Sequence, residues 1–306
     1  MPRPSHGPSG GAPAPRSTGR ALVAAARHRQ WAKNVLVFAA PGAAGVLDKP
    51  HPFVQSLAAF ACFCIAASGT YLLNDAADVD ADRAHPTKRH RPIARGELGV
   101  APARAIGMVA ILAAVAAAAA VDPHLGIVVG GYVALTTSYS IWLKHLAVVD
   151  VVAVAAGFVL RAIAGGAATG VPISNWFFIV ASFGSLFMVV GKRRGEAQHL
   201  GEDAASIRAT LGTYSDDFLA QLQTVSIAVV MIAYCLWSFE KAAESATSVP
   251  WFQMSIVPFA LAILRYALII DRGEGGAPDE VVLRDRTLQV LGAVWALVFA
   301  VGVYTS

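Results

Sequence analysis

Between residues 71 and 83 the chain reads Tyr71-Leu-Leu-Asn74-Asp75-Ala-Ala-Asp78-Val-Asp80-Ala-Asp82-Arg83. If a helix runs through this stretch, Asn74, Asp78 and Asp82 fall at i, i+4 and i+8. Asp75 joins their face, and Asp80 points the opposite way. Three carboxylates crowded on one face repel each other unless a cation sits between them. Oxygen donors without His or Cys select Mg²⁺, which takes one or two carboxylates and completes its shell with substrate phosphates and water. The competing reading is a solvated acidic helix end. It is the weaker one, because acidic side chains favour helix N-termini and this end is a C-terminus.

Arg83, His85, Lys88, Arg89, His90, Arg91 and Pro92 follow at once. Cations just beyond a carboxylate cluster suit a diphosphate, gripped by metal on one side and by Lys or Arg on the other. A plain positive loop at a membrane surface is the blander reading. A second polar stretch, Gly191-Lys192-Arg193-Arg194-Gly195-Glu196-Ala-Gln-His199, keeps one carboxylate among three cations. Tyr139 and Lys144 bracket the end of an apolar run, either as phosphate ligands or as an interfacial aromatic and a snorkelling lysine. Asp150 opens the next run, placed to hold Lys144 or an arginine. Arg161 lies about 16 Å deeper by helical rise. A charge at that depth is expensive and points to function. It either meets an acceptor phosphate or pairs with a buried carboxylate or carbonyls.

The elements that must carry these residues are apolar. Of 306 residues, 56% are hydrophobic and 14% charged, with mean hydropathy +0.56. Soluble domains run at roughly 45–50% apolar and about 25% charged, so an all-α polytopic membrane protein is expected. Nine segments approach spanning length: 35–48, 53–73, 101–121, 124–143, 147–168, 174–191, 218–239, 250–270 and 287–305. The first contains Pro41, Gly42 and Gly45. With the N-terminus inside, only Lys49 and Lys241 of the 24 Lys and Arg residues fall outside, and Arg161 falls within a span. That bias places the N-terminus and both polar loops on the cytoplasmic face of the cell inner (plasma) membrane.

The basic residues lie between spans, which excludes nucleic acid as partner and leaves phosphate-bearing ligands and topology as their cause. Cys62, Cys64 and Cys235 sit inside apolar runs and form neither a disulfide framework nor a zinc site. Residues 1–18 read as a disordered tail rich in Pro, Gly and Ser, and residues 19–34 as a basic amphipathic interfacial segment or a simple positive-inside anchor. Ala21 to Ala26 is too short for the core of a signal peptide. Residues 35–306 form the membrane-embedded domain, and residues 279–286 read as a charged loop.

Asn74-Asp75-x-x-Asp78-x-x-x-Asp82, followed by Arg91-Pro92, resembles the first aspartate motif of the UbiA membrane prenyltransferase superfamily, and the apolar layout agrees along nearly the whole chain after residue 20. The resemblance implies a nine-transmembrane-helix bundle with a polar cavity opening to the cytoplasmic side. It also implies metal ligation by Asn74, Asp75, Asp78 and Asp82. Most members carry a second aspartate-rich motif where this chain has Lys192, Arg193 and Glu196. Cations there mean additional phosphate to neutralise without metal.

One branch of the superfamily has that need: it transfers the 5-phosphoribosyl group of phosphoribosyl diphosphate to decaprenyl (polyprenyl) phosphate, for cell-wall arabinan synthesis. Arg29-Gln30-Trp31-x-Lys33-Asn34, Tyr139-Ser-x-x-Leu-Lys144 and Lys192-Arg193-x-x-Glu196 resemble that branch. By that resemblance catalysis rests on Asp78, Asp82 and Lys192. Substrate phosphates would meet Arg29, Lys33, Arg83, Lys88, Arg89, Arg91, Tyr139, Lys144, Arg161, Lys192, Arg193 and Glu196. Mg²⁺ is the expected cofactor, membrane lipid surrounds the protein, and a homo-oligomer is compatible with the reading. The competing functions are transfer from an isoprenyl diphosphate donor and transport of an anionic lipid or phosphate compound.

Overall fold

In hydrocarbon a backbone must satisfy its own N–H and C=O groups, so long uncharged runs of Ala, Val, Leu and Ile become helices. The computed structural model describes residues 17–200, 209–245, 247–274 and 278–305. Of the expected tail, only Ser17 and Thr18 lie within these residues, and Arg208 of the second polar loop lies outside them. The described residues are helical, with no strand among them.

The chain begins with α1 (Thr18–Ala25), a 3₁₀ stretch (His28–Phe38) and the short α2 (Ala39–Ala43). Then come α3 (Pro50–Ala77), α4 (Val79–Ala84), α5 (Val100–Val121), α6 (Pro123–Ile141) and α7 (Val149–Thr169). The second half holds α8 (Asn175–Leu200), α9 (Asp216–Glu244), α10 (Trp251–Asp271), α11 (Pro278–Arg284) and α12 (Arg286–Thr305).

Seven of these helices, α3, α5, α7, α8, α9, α10 and α12, are long and apolar enough to cross a membrane. Two expected spans depart from that standard. Helix α6 has 19 residues, but Thr136, Thr137, Ser138 and Ser140 dilute its apolar character. The stretch 35–48 is not one helix: a 3₁₀ segment hands over to five residues of α2 around Pro41, and Gly45 then turns the chain out at φ 66°. Proline offers no N–H for an interior helical bond, which weakens the helix there, and with the left-handed Gly45 four residues on the helix stops at Ala43. The interfacial segment is likewise divided, because Arg27 takes a left-handed φ of 51° between α1 and the 3₁₀ stretch. Residues expected as a loop at 279–286 include the last turns of α11 and the start of α12.

Successive long helices pack side by side, α3 on α5, then α5 on α6, α6 on α7, α7 on α8, α8 on α9 and α9 on α10. Helix α12 returns to α10. Lipid-facing side chains stay exposed, including Val109, Leu112, Ile127 and Leu297. Small residues bring backbones together where the apolar effect cannot drive helix association. A Cβ on Gly69 would lie 2.7 Å from the Gly107 carbonyl, and one on Gly107 would lie 2.9 Å from that of Gly69. The 3₁₀ stretch and α2 lie against α7, where a Cβ on Gly165 would lie 1.8 Å from the Val37 carbonyl. Gly45 in turn lies against Val303, so the first and last membrane elements meet.

Gly165→Ala is expected to push the leading segment off α7 and cost about 1–3 kcal/mol, the usual penalty of overpacking. The thermal midpoint in detergent should fall, whereas Gly130→Ala, with nothing within 4 Å, should leave it unchanged or raised. Equal midpoints for the two variants would refute the packing assignment.

Candidate active site at the polar end of the bundle

Asp75 is 3% exposed in the last turn of α3. Its Oδ1 accepts from Arg27 Nη2 at 2.6 Å and from Arg91 Nη1 at 3.1 Å. The same Arg91 Nη1 donates to Asp82 Oδ2 at 2.7 Å, and Asp82 is 2% exposed. Two buried carboxylates therefore share one cationic nitrogen. Breaking such a pair strands a charge away from water, at roughly 3–5 kcal/mol.

Local structure explains how Arg91 comes back over α3. His85 Nδ1 accepts from the backbone N–H groups of Thr87 and Lys88 and so turns the chain. Arg83 Nε donates to the Ala94 carbonyl at 3.2 Å, and the Pro92 carbonyl accepts from Glu97 N–H at 2.9 Å. Ile93 and Leu98 then bury against Ala21, Ala25, Leu72 and Ala76. This small apolar cluster fixes α1, the end of α3 and the turn that bears Arg91 in one place.

The expected single acidic face is altered by a break. Helix α3 ends at Ala77 and α4 begins at Val79, with Asp78 between them at ψ 13°. Asp75 and Asp82 turn inward, Asp78 is exposed, and Asn74 Nδ2 donates to Ser140 Oγ at 2.8 Å on α6. Asp80 stays outside with Arg83, at 3.0 Å. Among the described residues no three His, Cys, Asp or Glu side chains stand together as a metal cage. The donor set still suits a hard divalent ion, which commonly takes one or two carboxylates and leaves the rest of its shell to substrate oxygens and water. A cation, the Arg91 guanidinium, already bridges the two buried carboxylates.

The second polar stretch meets the first on α6. Tyr139, next to the Ser140 that holds Asn74, accepts from Arg193 Nη2 at 3.4 Å. Arg193 is 3% exposed and donates from Nη1 to Glu196 Oε2 at 3.0 Å, while Lys192 Nζ lies 3.6 Å from Glu196 Oε1. Arg194 faces another way, tying α8 to Asp216 of α9 and Asp271 of α10. Asp150, fully buried, accepts from Thr210 Oγ1 at 3.1 Å and from the Tyr214 hydroxyl, with Arg193 Nε 3.5 Å away. Burial and the bond to the Asp150 carboxylate push the Tyr214 phenol up to about 12.

Arg161 finds neutral partners: Asn34 Oδ1 at 2.7 Å, the Gly157 carbonyl at 2.7 Å and the Tyr132 hydroxyl at 2.8 Å. The Tyr132 ring also lies under the guanidinium, 4.5 Å from its centroid. The sequence left open a carboxylate, carbonyls or a phosphate for Arg161; a carbonyl, an amide and a phenol take the place of the carboxylate.

The remaining expected ligands lie around this end. Arg29, Lys88 and Arg89 are exposed, and Lys33 and Lys144 are half-buried. Sequence reasoning missed Arg27, Ser140, Thr210 and the hydroxyl of Tyr214 as members of these networks. Arg27 looked like one more membrane-anchoring cation. Nothing in its spacing separates it from Arg29; only the fold brings it to Asp75.

Residues 35–285 match the UbiA prenyltransferase family. A Corynebacterium glutamicum protein named decaprenyl-phosphate phosphoribosyltransferase is 44% identical over 294 residues, covering 95% of this chain and 89% of that one. A Mycobacterium tuberculosis protein of the same name is 44% identical, covering 90% and 91%. Among solved structures, a UbiA homolog from Archaeoglobus fulgidus bound to GPP and Mg²⁺ superposes with a TM-score of 0.68 at 18% identity, over 94% of this chain and 100% of that one. A digeranylgeranylglyceryl phosphate synthase superposes with a TM-score of 0.66 at 13% identity, over 94% and 99%.

Tyr214→Phe should destabilise the protein at neutral pH by removing two hydrogen bonds at once. The raised phenol pKa means this contribution is complete below the ordinary value of 10.0 and is lost as pH rises through about 12. Thermal midpoints of the two proteins should therefore differ at pH 8 and converge toward pH 12; a gap independent of pH would refute the assignment.

Proposed function

Because the chain belongs to the UbiA prenyltransferase family, we propose that it transfers the 5-phosphoribosyl group of phosphoribosyl diphosphate to decaprenyl phosphate and releases diphosphate. The two relatives at 44% identity carry the name of that activity. The observation that carries the reading is the division of charge at the end of α6. Ser140 holds the acidic first motif through Asn74, and its neighbour Tyr139 holds the basic second one through Arg193. A donor with a diphosphate at C1 and a separate 5-phosphate needs both characters, and an acceptor phosphate adds to the demand for cations.

Asn74, Asp75, Asp78 and Asp82 would hold Mg²⁺. Bound there, the metal neutralises charge on the donor diphosphate. Arg27 and Arg91 stand on the carboxylates and are placed to turn to phosphate oxygens. Lys192, Arg193, Lys33 and the exposed Lys88 and Arg89 bind the remaining phosphates. The C1–oxygen bond to diphosphate breaks with its electron pair on the leaving group, and ribose C1 takes on oxocarbenium character. An acceptor phosphate oxygen attacks from the opposite face, with inversion. That oxygen is already anionic, so no strong general base is required. The uncompensated charge of Arg161 draws the acceptor phosphate toward the membrane interior, and the prenyl tail lies along apolar helix faces open to lipid.

The positive loops put this chemistry on the cytoplasmic side of the plasma membrane. In this reading α6 and the 3₁₀–α2 segment would add two crossings to the seven long helices, nine in all. Product of this kind would feed the arabinose donor pathway of a cell-wall arabinan.

The test is transfer of label from ribose-labelled phosphoribosyl diphosphate into organic-extractable lipid, with purified protein, decaprenyl phosphate and Mg²⁺. Label should enter lipid and be abolished by EDTA. Asp78→Asn should lower turnover by more than the roughly 10–100-fold that loss of an outer-shell partner costs, in a protein that remains folded. Absence of labelled lipid, with transfer from an isoprenyl diphosphate instead, would overturn the donor assignment.

A further inference from the structure

Asp150 has no exposed surface, yet it stands in the first turn of α7 within reach of three groups from other segments. Its Oδ1 accepts from Tyr214, its Oδ2 from Thr210, and Arg193 Nε stands 3.5 Å from Oδ2. Arg193 Nε is buried and makes no hydrogen bond, so the carboxylate holds that side of the guanidinium by charge. The other side is spent on Glu196 and Tyr139, which fixes the guanidinium at the end of α6 beside the first motif.

The backbone is also constrained there. Val148, β-branched, adopts φ 68°, and its N–H donates to the Tyr214 hydroxyl at 2.6 Å. Among the described residues the non-glycine positions with positive φ are Arg27 and Val148. One donates to Asp75, and the other is held by the phenol that donates to Asp150. Strain of this kind persists only where surrounding contacts over-determine it, and it gathers where geometry matters.

We propose that Asp150 is a positioning residue: with Tyr214 and Thr210 it locks the second loop onto α7 and orients Arg193 toward a phosphate of the donor. The inference rests on the reading of Arg193 as a donor ligand. Asp150 itself has no surface for substrate and acts through Arg193. Its loss therefore weakens donor binding and leaves the chemical step largely intact. A residue needed only for folding would instead lower the yield of active protein and leave donor affinity unchanged.

The experiment titrates phosphoribosyl diphosphate into acceptor-free protein by calorimetry and measures KM and kcat for transfer, using wild type, Asp150→Asn, Arg193→Gln and the double variant. Asp150→Asn should raise the donor Kd and KM about tenfold, the size of a hydrogen bond to a charged group, with kcat within about twofold of wild type. In the Arg193→Gln background it should add nothing. Tyr214→Phe, which removes a single oxygen, should raise KM about threefold and likewise add nothing once Arg193 is gone, so the inference stays testable if Asp150→Asn does not fold. An unchanged donor Kd, or effects of Asp150 and Arg193 that multiply, would overturn the positioning role alone. No donor binding to wild type would overturn the donor assignment and this inference with it.

Discussion

A carboxylate removed from water must find a cation, and this requirement organises the polar end of the bundle. Asp75, Asp82 and Asp150 are each 3% exposed or less. Each is met by an arginine from a different segment: Arg27 from the junction after α1, Arg91 from the turn after α4, and Arg193 from α8. The desolvation penalty of these ions is several kcal/mol apiece, offset only when geometry and hydrogen bonds are complete. The pairs therefore dictate where three otherwise independent segments lie.

The apolar architecture makes that arrangement possible without contributing a functional group. Gly69, Gly107 and Gly165 allow backbones to approach so closely that a methyl group would collide with a carbonyl. These contacts pack α3 tightly on α5 and dock the leading segment on α7. From that segment Asn34 reaches Arg161, whose charge is shared among an amide, a carbonyl and a phenol. A cation solvated by neutral dipoles keeps its long-range field, whereas a carboxylate partner would cancel it. Buried ion pairs thus gather at the polar end, and Arg161 in the span below them is held by neutral partners.

Helix α6 is long but is not among the seven helices apolar enough to cross a membrane, and its polar residues connect the two motifs. Thr136 and Ser140 return hydrogen bonds to their own helix, while Ser140 and Tyr139 also receive the two motifs. Ser140, one of the residues that dilute the apolar character of α6, and its neighbour Tyr139 connect the acidic motif to the basic one.

The amino-acid sequence determined the helical class, the approximate limits of most spans and the two polar stretches dense in charge. It did so because the length and apolarity of a span, and the charge of a loop, are local quantities imposed by the bilayer. The spacing of Asn74, Asp75, Asp78 and Asp82 suggested one acidic helical face, and the structure divides that face at Asp78 between α3 and α4. Tertiary structure alone decided that the helix breaks at Asp78, that 35–48 is not one helix, and which cation faces which carboxylate. Arg27 reaches Asp75 across 48 positions and Tyr214 reaches Asp150 across 64. Partners so far apart are selected by packing and by the cost of a buried charge. Neither leaves a periodic trace in the chain.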